Sequence, residues 1–102
     1  MIDSKDKPLV FLIASHYYSY KHYKNNFDKT IIKANEMNST FETDELRYKF
    51  INDPKKLKGY RDNYWMPCGY YIESEWPRMR DTLLMQNIKH ISELVKDSKE
   101  TK

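Results

Sequence analysis

The sequence predicts a small α/β protein with a three-stranded, mostly parallel sheet, built in the order β-α-β-turn-β-α and with its helices packed on the sheet. Three observations carry this. The run Pro8 to Ala14 is continuously apolar and rich in β-formers, yet too short for a typical helix, so it reads as a strand buried on both faces at the centre of a parallel sheet. Leu46 to Ile51 alternates Leu46, Tyr48 and Phe50 with Arg47 and Lys49, the period of a half-exposed strand. Between them lies an amphipathic stretch that can cross over the sheet with the usual right-handed sense.

In that stretch Tyr20, Tyr23, Phe27, Ile31 and Ala34 recur at steps of three and four, while Lys21, Lys24, Lys29 and Lys33 take the other side, predicting one long helix. Ser15 or Ser19 is expected to cap its start, and Asn35 to Thr40 to end it as a loop. After the second strand, Asp53 followed by Pro54, with Leu57 inside and Gly59 beyond, describes a single helical turn closed by a left-handed glycine. Tyr64 to Ile72 is aromatic and extended, a third strand with an irregular start. Pro67 keeps open the alternative that this strand lies antiparallel at the edge. Glu73 to Pro77 places acidic groups and a proline where a helix begins. Met79, Leu83, Leu84 and Ile88 then predict a helix to about Asn87, with apolar spacing continuing through Ile91 and Leu94 to Val95.

Length and composition narrow the function. A chain of 102 residues with 39% hydrophobic, 15% aromatic and 32% charged residues makes one domain over 1–102, with 1–7 and 96–102 as expected flexible tails. Mean hydropathy of -0.93 and the lack of a long apolar run argue against a membrane span, and the short run after Lys5 and Lys7 does not resemble a signal peptide. The expected compartment is the cytoplasm. A single cysteine, Cys68, cannot form an internal disulfide, and it gives no zinc spacing with the three histidines. With Gly59 and Gly69 the only glycines, no phosphate loop exists, and neither G-x-S-x-G nor H-E-x-x-H occurs. No cofactor is expected and no catalytic residue is assigned.

The segment Leu9 to Ser15, the stretch Leu46-Arg47-Tyr48-Lys49-Phe50-Ile51-Asn52-Asp53-Pro54-Lys55-Lys56-Leu57-Lys58-Gly59, the aromatic strand and Gln86-Asn87-Ile88 together resemble small Rossmann-like α/β proteins encoded by bacteriophages. That resemblance implies a fold of this kind in a host cytoplasm and supplies no catalytic residue. The final strand departs from the plainer, more aliphatic one usual there.

Three sets of residues are candidates for function. Nine tyrosines and two tryptophans exceed what one thin core hides, so Tyr60, Tyr64, Trp65, Met66, Tyr70, Tyr71 and Trp76 form the leading protein-binding set. The competing reading places half of them under the helices on the sheet's second face. An exposed edge strand there would also allow a homodimer. Lys21, Lys24, Lys29, Lys33, Lys55, Lys56, Lys58 and Arg61, with tyrosines among them and a net charge of +3, are candidates for nucleic-acid contact, although a solvated face explains them more simply. Ligands of open α/β sheets gather beyond the carboxyl ends of the strands, which singles out Ser15, His16, Ser19, Asn52, Asp53 and Glu73 as a ligand cleft. The favoured function is a non-enzymatic, phage-encoded module that binds a host or phage protein through its aromatic strand and adjoining loops, inhibition of that protein being one outcome. A nucleic-acid binder is the alternative and a minimal nucleotide-binding enzyme the third reading.

Overall fold

The computed structural model describes residues 7–94. Its six-stranded sheet has the order β2-β3-β4-β1-β5-β6. The strands are β1 (Leu9–Ile13), β2 (Lys33–Asn35), β3 (Thr40–Glu42), β4 (Arg47–Ile51), β5 (Tyr64–Pro67) and β6 (Lys89–His90). The expected parallel α/β core is present: β1 is central and pairs in parallel with β4 on one side and β5 on the other. Its alternate side chains enter two cores. Val10, Leu12 and Ala14 join Tyr20, Phe41, Tyr48 and Phe50, while Phe11 and Ile13 join Ile51, Leu57, Met79, Leu83 and Ile88. The unbroken apolar run follows from this, because a strand covered on both faces has no solvent side to make polar.

The sheet is larger than three strands because the first crossover contains a hairpin, β2 and β3, and the chain after the last helix adds β6. Helix α1 (Tyr17–Asn25) lays Tyr20 on the first core, its ring stacked on Phe50 at 5.3 Å. It ends nine residues early relative to the periodicity. Asn26 closes it, donating both its amide N–H and its side-chain Nδ2 to His22 O. Phe27 still reaches the core from the irregular segment after the helix, its ring meeting Phe41 at 5.2 Å and Tyr48 at 5.4 Å. Helical spacing was thus satisfied without a helix. The expected loop at Asn35 to Thr40 is instead the turn joining antiparallel β2 and β3, with Asn38 N donating to Asn35 Oδ1 and Ser39 in the left-handed region at φ 52°. β3 then pairs antiparallel with β4.

β4 and the element after it match the sequence closely. Tyr48 and Phe50 enter the first core, with Arg47 and Lys49 on the opposite face. Asp53 Oδ1 accepts from Lys55 N at 2.9 Å, Pro54 opens a 3-10 turn (Pro54–Leu57), Leu57 is fully buried and Gly59 follows at φ +90°. Burying Leu57 contributes roughly 2 kcal/mol.

The antiparallel alternative for the aromatic strand is overturned: β5 runs parallel to both neighbours. Pro67 is tolerated because it is the last residue of β5 and β6 pairs only with Tyr64 and Trp65, so the missing N–H removes no ladder bond on that side. Helix α2 (Trp76–Met85) buries Met79 and Leu83 in the second core. Asn87 turns left-handed at φ 54°, and Ile88 N reaches back to Leu83 O at 2.8 Å, which ends the helix short of the continuation toward Val95. The chain forms β6 and is helical again over 91–94, while Val95 and the polar tail lie outside the described residues. Gln86 Nε2 donates to the carbonyls of Leu57 and Tyr60, fastening α2 to the 3-10 turn.

Candidate functional site

Because β1, β4 and β5 are parallel, the segments after them meet at one end of the sheet. β1 leads into α1 on the first core and β5 leads toward α2 on the second, so these adjacent strands send the chain to opposite faces. In open sheets such a divergence leaves a crevice that takes a ligand. Here the chain fills it. Ser15 N donates to Tyr70 O at 2.9 Å, and Ile72 N donates to Ser15 Oγ at 2.8 Å. Gly69 lies so close to α1 that a Cβ there would stand 2.5 Å from Ser19 Cβ. Tyr71 OH donates to Asn52 O at 3.3 Å.

The six residues expected to line a ligand cleft therefore have other assignments. Ser15 and Ser19 do not cap α1, whose N-cap is His16 without a side-chain bond. Ser15 holds the 70–72 segment, Ser19 is buried against Gly69, and Asp53 caps the 3-10 turn. His16 is exposed and stacks on Tyr18 at 5.6 Å, and Glu73 is exposed. Asn52 Oδ1 is buried without a partner among the described residues.

The aromatic set is divided by the pairing of β5 with β1. Tyr64 and Met66 pack on the first core, whereas Tyr60, Trp65, Tyr71 and Trp76 pack on the second. Trp65 and Trp76 meet at 5.6 Å, and Trp76 also meets Tyr71 at 5.7 Å. Of the seven, Tyr70 alone is largely exposed, at 62%. Cys68 is packed on the first core, where burial pushes its thiol up to about 12. It is held as the unreactive thiol at neutral pH.

What the sheet's carboxyl end does expose is a different apolar group. Tyr17 and Tyr18 open α1, Met37 is at the β2–β3 turn, and Tyr70 and Ile72 follow β5. Tyr18 is 70% and Met37 96% exposed. Met37 reaches this end because Phe50 N, near the end of β4, donates to Ser39 O at 2.9 Å. Glu36 ties the turn to α1, accepting from Lys24 Nζ at 2.5 Å and from Tyr17 OH at 3.3 Å. The Lys24 ammonium holds its carboxyl below the usual range. Tyr17, Tyr18, Met37 and Ile72 were absent from the sequence-derived protein-binding set, and the usable signal was positional: three of them immediately follow or closely trail the buried strand and the aromatic strand.

The basic residues do not form one stripe. Lys21 and Lys24 lie on α1, over the first core, while Lys55, Lys56 and Lys58 belong to or follow the 3-10 turn, on the second. Arg61 is exposed beyond it. Lys29 shares a cleft with Asp28, Asp44 and Glu45, and Lys33 is on the outermost strand β2. Among the described residues no cluster of His, Cys, Asp and Glu could hold a metal ion, and no helix is long and apolar enough to cross a membrane. The chain matches no protein-family model, and no curated protein or solved structure shows significant similarity to it.

Proposed function

We propose that this protein is a small non-enzymatic interaction module that binds a protein partner through the carboxyl end of its sheet. The observation that carries the reading is the convergence of Tyr17, Tyr18, Met37, Tyr70 and Ile72, all exposed, from three separate connections onto one end of the molecule. Exposed large apolar groups are unremarkable singly, but a contiguous set rimmed by polar residues marks a contact surface. Tyrosine suits such a surface, since its ring provides contact area and its hydroxyl tolerates water before docking. The crevice that would hold a small substrate is occupied by residues 68–72, which favours binding over catalysis. The resemblance to phage-encoded proteins adds a host protein as the partner and inhibition as the outcome.

The test is affinity capture from a nuclease-treated bacterial lysate with the wild-type chain and with Tyr18→Ser/Tyr70→Ser, both exposed positions whose replacement leaves the cores intact. A partner retained by the wild type and lost by the variant supports the reading. Recovery that depends on nucleic acid, or that the variant leaves unchanged, overturns it. Sedimentation of both proteins alone checks whether the partner is a second copy.

A further inference from the structure

The other half of the sheet carries a separate feature. α1 and the first core cover one face of β3 and β4, whereas the 3-10 turn and α2 pack on the second core around β1 and Ile51, so that among the described residues no helix packs on the opposite face of β2, β3 and β4 up to Lys49. Strand register assigns its side chains. Lys33, Glu42 and Arg47 are mutual cross-strand partners in one row, and Asn35, Thr40 and Lys49 form the next row on the same face. A cleft of about 350 Å³ lies over them, and Tyr60 lines it, its ring packed edge-on against Phe11 at 5.1 Å.

The charge in this cleft is one-sided. Glu42 accepts from the buried ammonium of Lys7 at 3.3 Å, and among the described residues on this face it is one carboxylate against the three cations Lys33, Arg47 and Lys49. Arg47 is oriented by donating Nε and Nη2 to Lys7 O at 3.1 and 2.9 Å, and Lys49 Nζ donates to Asn38 O at 3.3 Å. Neighbouring strands are ~4.8 Å apart, so the backbones of Lys33 and Arg47 are separated by roughly 10 Å, a distance their long stems can close around one anion.

We propose that this cleft binds a nucleoside di- or triphosphate, the phosphates among Lys33, Arg47 and Lys49 and the base at the Tyr60 ring. A polyphosphate concentrates several negative charges within the reach of three cations, which an extended acidic peptide, with its carboxylates alternating between faces, does not. The volume is in the range of a small-molecule site. A second copy of this chain would bring the same three positive charges and be repelled. The site is distinct from the carboxyl-end surface, so either can fail without the other.

The test is calorimetric titration of the full chain with ATP, pyrophosphate and a poly-glutamate peptide at low salt, in the wild type and in Lys33→Glu. Lys33 is exposed on an edge strand, and an unchanged thermal midpoint verifies that the variant folds; if the midpoint moves, Lys33→Gln is judged by the same criterion. The expected result is saturable ATP binding, weakened about tenfold or more by the charge reversal and progressively by added salt, with pyrophosphate competing more weakly than ATP for want of the base. Absence of saturable ATP binding, indifference to the Lys33 change, or competition by poly-glutamate as strong as by ATP would overturn the proposal. Equal affinity for ATP and pyrophosphate would overturn the role given to Tyr60.

Discussion

Replacing Gly69 by alanine tests whether the crevice between β1 and β5 is truly closed by the chain itself. The added Cβ would stand 2.5 Å from Ser19 Cβ and 2.6 Å from Ser19 Oγ, whereas its next neighbour, Ala14 Cβ, is at an ordinary 3.5 Å. Ser19 is buried on α1 and cannot swing away, so the 68–72 segment or the helix must shift. Gly69 is not among the residues at positive φ, which leaves the steric contact as the source of the cost. Overpacking of this kind costs about 1 to 3 kcal/mol, which for a domain of this size lowers the thermal midpoint by roughly 5 to 20 °C. Ser19→Gly removes both opposing atoms, at a helix-propensity cost of about 0.5 kcal/mol. The double variant should therefore recover most of the loss, and a double-mutant cycle by chemical denaturation should show a favourable coupling of about 1 to 2 kcal/mol. A neutral Gly69→Ala, or additive effects in the pair, would refute the packing and reopen the crevice as a ligand site.

Asp53→Ala should cost about 1 kcal/mol in urea denaturation through loss of the bond to Lys55 N, while Asp53→Asn keeps most of it. Leu57→Ala, emptying a fully buried position between β4 and α2, should cost about 2 to 5 kcal/mol by the same assay. Burial raises the ionisation of Cys68 to about 12 and of Tyr48 to about 12, with Tyr20, Tyr23 and Tyr71 also raised. The unfolded chain then loses its protons first, so stability is full below pH 9, falls from about pH 9 as unfolded Cys68 ionises and more steeply above about 10 as the tyrosines follow; denaturation midpoints flat from pH 8 to 12 would contradict this. Cys68 should react with an aromatic disulfide reagent at pH 8 only in denaturant, and rapid labelling of the native protein would show the thiol to be accessible.

Local chemistry made much of the fold legible. Leu9 to Ile13 is a strand covered on both faces, Arg47 to Phe50 alternates polar and core-facing residues, and Asp53-Pro54 through Gly59 contains a cap, a preset φ and a left-handed residue within seven positions. Each of these signals is written in consecutive residues. The end of α1 was not, because Phe27 and Ile31 continue a helical period while in fact packing on the core from irregular chain. β2 and β6 were invisible for a related reason: three and two exposed residues, held by pairing to β3 across a turn and to β5 far back along the chain, leave no hydrophobic pattern of their own.

The candidate surfaces depended still more on tertiary structure. Sequence showed an excess of aromatic residues, but only the parallel register of β5 on β1 decided that Tyr64 and Trp65 enter different cores while Tyr70 stays in solvent. Likewise the lysines were countable, yet their distribution over opposite faces and ends follows from where α1, the hairpin and the 3-10 turn dock. Sequence by itself determined which segments carry apolar and charged side chains, because burial is paid for by residue type. Which of those side chains share a face was decided only by the long-range pairing of strands, since a shift of one residue in register moves every side chain to the other side.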